Sequence, residues 1–179
     1  AERFAFAYSM LFPGKIVVGR DSRVSGQAIV EAVTTGLRKA GNDVVDIGLA
    51  ATPTTEMAVT ALGADGGVII TASHNPEEWN GLKFLGPDGV FLDAAQAKQL
   101  IEVYGNLDEL DFLPLAGELA PWKGANKHHI DSILALDIID PAAIAARGFN
   151  VCLDAVNGAG GPICLPLLER LGCEVHLLN

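Results

Sequence analysis

Between Lys15 and Thr71, short β-branched runs alternate with helix-length amphipathic stretches, and this alternation constrains the fold more than any other feature of the chain. The run Lys15 to Gly19 predicts a first strand. Ile29, Val33, Leu37 and Ala40 then recur at helical spacing, and Gly41 supplies the stop. A second strand is expected over Asp43 to Ile47. At Thr52-Pro53 a hydroxyl cap followed by proline in the first turn predicts a helix running to about Leu62. Gly67 to Thr71 reads as the third strand. Strand, helix and strand repeated in this way require crossover helices lying on a mostly parallel sheet. The fold class is therefore α/β, a layered α/β/α domain with a mixed, largely parallel sheet. Ligands of such sheets gather beyond the carboxyl ends of the strands. Two polar loops fall there, Arg20 to Ser25 and Ala72 to Asn80.

The flanking segments read less sharply. Ala1 to Tyr8 has the pattern of an amphipathic helix and lacks the basic start and cleavage site of a signal peptide. Leu82 to Leu85, the turn Gly86-Pro87-Asp88-Gly89 and Val90 to Leu92 predict a β-hairpin. Asp93 is expected to cap a helix ending at Tyr104. Gly105 to Gly124 is acidic and without period, which predicts an irregular connection in which Asp108, Glu109 and Asp111 form a solvated loop rather than an acid/base pair. A helix follows from about Asn126 to Leu136. A second unit starts near Pro141, with a short helix to Arg147, a buried strand over Asn150 to Asp154, a glycine-rich loop to Gly161, a helix to Leu171 and a strand over Glu174 to Leu178. One strand, helix and strand cannot cover both faces of a sheet. Residues 1–138 are thus expected to form one domain, and 139–179 a truncated second α/β unit.

Composition removes several classes of function. The chain has 12 basic and 22 acidic residues among 179, a net charge of -10, which repels a nucleic-acid backbone. A small phosphorylated metabolite remains open, because it responds to the few groups lining its site and not to screened charges farther off. No apolar stretch approaches the roughly 20 residues of a membrane helix. Cys152, Cys164 and Cys173 are odd in number, lack paired metal-ligand spacing and sit among apolar residues. They read as reduced core thiols of a cytoplasmic protein. Oligomeric state is not legible in the sequence.

The candidate chemistry lies in Thr71-Ala72-Ser73-His74-Asn75-Pro76, where a hydrophobic strand ends and proline blocks continuation as a helix. Ser73 and His74 make a poor catalytic pair on extended backbone, where consecutive side chains point to opposite sides. There is no G-x-S-x-G elbow either, so a serine hydrolase is not indicated. A serine that carries a phosphoryl group asks instead for donors to offset charge and a group to move a proton. Lys83, ten residues on, is a candidate for the second task. Arg20 and Arg23 could offer forked donors to phosphate oxygens, or could form with Asp21 an ion-paired loop that fixes the turn. His74 and Asn75 could orient groups beside the serine. The loop Asn157-Gly158-Ala159-Gly160-Gly161 follows a strand and opens a helix, but its spacing misses G-x-G-x-x-G and no acidic residue ends the next strand, so a dinucleotide site is not indicated.

Taken together, Gly19-Arg20-Asp21-Ser22-Arg23-Val24-Ser25-Gly26, the serine motif and Asn80-Gly81-Leu82-Lys83 resemble the first domain of the α-D-phosphohexomutase family of phosphoglucomutases and phosphomannomutases. The resemblance runs from about residue 15 to 179, with residues 150–179 similar to the start of the family's second domain. It implies that Ser73 is a phosphoserine that passes its phosphoryl group to a hexose phosphate, through a bisphosphorylated hexose that also serves as activator. It implies that the Ser73 phosphate is one ligand of a Mg²⁺ ion, that Lys83 is a general acid/base, that His74 lines the site, and that Arg20, Arg23 and Asn75 bind phosphate or substrate. The family's opening strand and arginine-bearing loop, its metal loop, its sugar-recognition loop and its final domain have no counterpart in this sequence. The resemblance thus implies a fragment, inactive alone, whose other Mg²⁺ ligands lie elsewhere. A non-catalytic α/β binding module that keeps the motif is the alternative.

Overall fold

The computed structural model of the protein describes residues 1–107, 110 and 113–179. In chain order the elements are α1 (Glu2–Leu11), β1 (Lys15–Arg20), α2 (Gly26–Lys39), β2 (Asp43–Leu49), α3 (Thr52–Ala61), β3 (Gly66–Ile70), β4 (Leu82–Leu85), α4 (Ala94–Gly105), β5 (Leu119–Pro121), α5 (Ala125–Leu134), α6 (Pro141–Ala146), β6 (Asn150–Leu153), α7 (Gly161–Arg170) and β7 (Glu174–Leu177). Among the described residues the main sheet has five strands in the order β4-β3-β1-β2-β5. β1 is parallel to β2 and β3, β5 is parallel to β2, and only β4 runs antiparallel, against β3. This is the mixed, largely parallel α/β sheet expected from the alternation.

The core shows why β1 and β3 are continuous apolar runs. Ile16, Val18, Val68 and Ile70 point to one face, beneath α1, α2 and Leu100 of α4. Val17 and Ile69 point to the other, against Ala58 and Val59 of α3 and Ala125 of α5. A central strand covered by helices on both sides has no polar face to show. β1 therefore sits in the middle of the sheet, and the loop after it opens at the sheet's centre. α1 is locked to the sheet by Tyr8, whose Oη donates to the Leu85 carbonyl at 2.6 Å. Burial pushes the Tyr8 phenol well above its ordinary pKa, so it stays a neutral donor. Gly41, at φ +92, ends the turn after α2. Asp93 caps α4 through a capping box with Gln96.

Other expectations need correction. Ala51, not Thr52, occupies the N-cap of α3, and no side chain caps it; Pro53 lies within the first turn. The interval Gly105 to Gly124 is not wholly irregular, since Leu119–Pro121 pairs with Val44–Asp46 as the edge strand β5. Three exposed residues on an edge carry no readable period. Asp108, Glu109 and Asp111 lie outside the described residues. The hairpin keeps its turn, but its second arm is reduced to one bridge between Leu85 and Phe91, because β4 takes β3 as its main partner.

In the second unit β6 and β7 pair in parallel, with α7 against β7. The expected buried strand is instead alternately exposed, with Asn150 and Cys152 open to solvent. Cys164 and Cys173 are half-buried and all three thiols are free, so they are not core thiols in this chain. Asn150, Cys152, Glu174 and His176, which alternate along the two strands, are all exposed. This unit meets the first where α7 packs against α5, and there the Asp131 carboxylate of α5 accepts from Lys127 and from Arg170 of α7. The Lys127 and Arg170 hydrogen bonds hold the Asp131 pKa below its ordinary value. A depressed carboxylate contributes its stabilisation above the unfolded-state pKa and loses it as pH falls through the folded-state value. Asp131→Asn should therefore be less stable than the parent at neutral pH, with the gap closing in acid, as read from urea midpoints measured across pH. Among the described residues, no helix is long and apolar enough to cross a membrane.

Candidate active site

The carboxyl ends of β1 and β3 lie side by side, and the loops leaving them are joined at once: the Asp21 amide donates to the Ile70 carbonyl at 3.0 Å. Asp21 is the hub of the site. Its Oδ2 accepts from the Thr71 hydroxyl at 2.7 Å and from Arg23 Nε at 3.0 Å, while Oδ1 accepts from the Arg23 amide at 3.1 Å. Thr71 Oγ1 in turn accepts from the Ser73 amide at 3.0 Å. Ser73 is held at φ +55, in the left-handed region that residues with a side chain seldom enter. On the far side of the loop, Arg23 Nη2 donates to the carbonyls of Ser73 and Asn75 at 2.9 and 2.8 Å, and Nη1 to those of Pro76 and Trp79 at 2.6 and 2.9 Å. The Asn75 side-chain amide closes the turn onto the Ala72 carbonyl. Asn80 reaches back to Ser25 Oγ at 3.0 Å.

Ser73 is exposed, and its hydroxyl takes no part in this network. Its polar neighbour is His74 Nδ1 at 3.4 Å, a long contact. Here the expectation of opposed side chains fails, since it assumed extended backbone and Ser73 is not extended. The hydroxyl opens on a cavity of about 680 Å³ lined by Ser73, Asp21, Arg23, Asn75, Glu77 and Thr52 of the first unit and by Val156–Ala159 of the second.

Of the residues predicted from sequence, Ser73, Arg23 and Asn75 thus share the cavity wall, and His74 adjoins Ser73. Arg20 and Lys83 do not line it. Arg20 turns its Nη1 to the Asp21 carbonyl at 2.9 Å. Lys83, opposite Ile69 on β4, rests its ammonium over the Phe91 ring, 5.5 Å from the centroid. Sequence reasoning missed Thr71 as the link between Asp21 and Ser73, and missed the loop Val156–Ala159 as a wall of the cavity. The first carries no signal beyond a hydroxyl at a strand end. The second had one: the loop leaves the carboxyl end of a parallel strand, as the serine loop does.

Fold and loop together define an α/β/α domain that displays a serine from a braced turn at its sheet's carboxyl edge. The model of phosphoglucomutase/phosphomannomutase, alpha/beta/alpha domain I, matches residues 1–111, and the chain belongs to that family. It is 37% identical to a phosphoglucomutase/phosphomannomutase of Thermococcus kodakarensis, over 92% of this chain and 36% of the relative. With a phosphoglucosamine mutase of Clostridioides difficile it shares 33% identity over 92% of this chain and 36% of the relative. The crystal structure of a phosphoglucomutase/phosphomannomutase family protein from Burkholderia thailandensis superimposes with a TM-score of 0.79 at 28% identity, covering 99% of this chain and 39% of the other. The chain thus spans a little over a third of the length of these relatives.

Proposed function

We propose that this chain is the phosphoserine-bearing part of a phosphohexose mutase, with residues 1–138 as the serine domain and 139–179 as the beginning of a second. The observation that carries the reading is the division of labour at Ser73. Its backbone amide and carbonyl are both engaged, while its hydroxyl is left to an open polar cavity of a size suited to a sugar phosphate. A serine that only shaped the loop would spend its hydroxyl on the loop.

In the proposed reaction the bond from phosphorus to Ser73 Oγ breaks as a bond to a free hydroxyl of the hexose phosphate forms. The hydroxyl proton passes to a base, and Ser73 Oγ takes up a proton as it leaves, which restores the serine hydroxyl. After the bisphosphorylated sugar reorients, Ser73 takes back the other phosphoryl group, so the phosphate moves between the 1- and 6-positions. Lys83 is the proposed acid/base; its long stem would have to carry the ammonium off Phe91 and into the cavity. His74, adjoining Oγ, and Asn75 are proposed to line the substrate, and Arg20 to bind phosphate. The relatives' names span glucose, mannose and glucosamine phosphates, and the substrate class proposed is a hexose phosphate. The -10 charge argues against nucleic acid, and cytoplasmic residence, supported by the free thiols, belongs to the same proposal.

Mg²⁺ would be held through a phosphorylated Ser73 and would neutralise charge on the group in transit. Among the described residues no group of three His, Cys, Asp or Glu side chains could hold a metal ion, and Asp21 is committed to Arg23 and Thr71. These residues fall short of an octahedral oxygen shell by themselves. The reading is tested by intact mass of the complete gene product after incubation with a bisphosphorylated hexose and Mg²⁺. One phosphate should be found, on Ser73 by fragmentation; an unmodified serine would favour the non-catalytic binding module.

A further inference from the structure

Arg23 is lined up with the cavity, and its guanidinium is the obvious anchor for an anion. Its bonds argue otherwise. A guanidinium has five N–H donors in a rigid fork, and here one from Nε, two from Nη1 and two from Nη2 are all committed. The side chain is only 11% exposed. Nothing remains to meet a phosphate oxygen unless a carbonyl of the serine loop is released.

We propose that Arg23 is a positioning residue, a clamp that fixes the Ser73 loop by gathering four of its carbonyls, and that it does not bind phosphate. The carbonyls of Ser73, Asn75, Pro76 and Trp79 converge on one point, where their dipoles would repel one another without a cation between them. A lysine ammonium has three donors and no fork, so it cannot hold all four. Asp21 orients the clamp through Nε and, through Thr71, holds the Ser73 amide from the opposite side. Ser73 is thereby gripped at both its amide and its carbonyl. That double grip sustains the left-handed backbone at Ser73 and aims the hydroxyl. The catalytic consequence rests on the phosphoryl-carrier reading; the clamp itself does not.

The test compares the complete gene product with Arg23→Lys and, in case that variant fails to fold, Asp21→Asn, which keeps shape but removes the charge that orients the fork. Amide hydrogen exchange is followed in peptides covering residues 72–80 and, as a control, 16–20 and 66–70. Exchange in the loop should quicken by about tenfold or more, as expected for losing a charge-assisted bond, with the strands unchanged. Turnover should fall about 10²-fold from a misplaced hydroxyl while KM for hexose phosphate stays the same. Loop exchange equal to the parent's, or a raised KM with turnover kept, would overturn the clamp. If instead the parent Ser73 takes up no phosphate but the loop still loosens in the variants, the mutase reading falls and the clamp stands.

Discussion

In the complete gene product, Ser73→Ala should lower hexose phosphate isomerisation by roughly 10⁴-fold or more, the scale seen when the nucleophile of a covalent mechanism is deleted. Binding should survive. The substitution removes one oxygen from an exposed side chain whose hydroxyl makes a long contact, 3.4 Å, to His74 Nδ1, and the clamp holds the Ser73 backbone rather than that oxygen, so both the clamp and the cavity stay in place. Stability should change by less than about 0.5 kcal/mol. The measurements are steady-state turnover with a bisphosphorylated hexose present, calorimetric affinity for a hexose phosphate, and the unfolding midpoint. Ser73→Thr keeps the nucleophile but adds a β-branch, which resists the φ of +55 found there. Turnover retained by Ser73→Ala would remove the serine from the mechanism altogether.

A large loss of stability is expected far from the serine, where α1 crosses the sheet. A Cβ added to Gly66 would come within 1.9 Å of Tyr8 Oη and 2.9 Å of the Leu85 carbonyl. Backbone and a buried ring stand on either side, and neither can move cheaply. Gly66→Ala should cost about 3 kcal/mol in urea unfolding. Tyr8→Phe should cost about 1 kcal/mol by itself, for the hydrogen bond to Leu85. Combined, the two should cost less than their sum by about 1 kcal/mol or more, since the phenylalanine lacks the oxygen that the new methyl would strike. Additive costs would mean that the strain lies against the Leu85 carbonyl instead.

The two sites differ in how far the sequence foretold them. The β-branched run at Ile16, Val17 and Val18 marked a strand, and the strand–helix alternation put the loops at Arg20 and Ala72 at the ligand edge; the strand's central place was not legible, because order in a sheet is set by pairing. β5 was not legible, because three exposed edge residues are held by pairing with Val44–Asp46 and not by burial. Within the site, residue types pointed to Ser73. They could not distinguish an Arg23 that faces an anion from one whose donors are spent on carbonyls, as that depends on how a chain fifty residues away folds back. Lys83 shows the same limit: its spacing from Ser73 is short, yet in the fold its ammonium rests on Phe91. Tyr8 and Gly66 were unreadable as a pair for the same reason, their contact being tertiary.

The cavity has one further property. Its Ser73 wall grows from the five-stranded sheet and its Val156–Ala159 wall from the β6–β7 pair, two bodies joined by the connection after α5 and by Arg170 against Asp131 on the surface. The width of the opening therefore depends on how α7 sits against α5, the helices through which the two bodies meet. An exposed ion pair weakens as salt rises, so Arg170 against Asp131 adds less to holding the two walls together in high salt, whereas the braced turn that carries the hydroxyl does not draw on it.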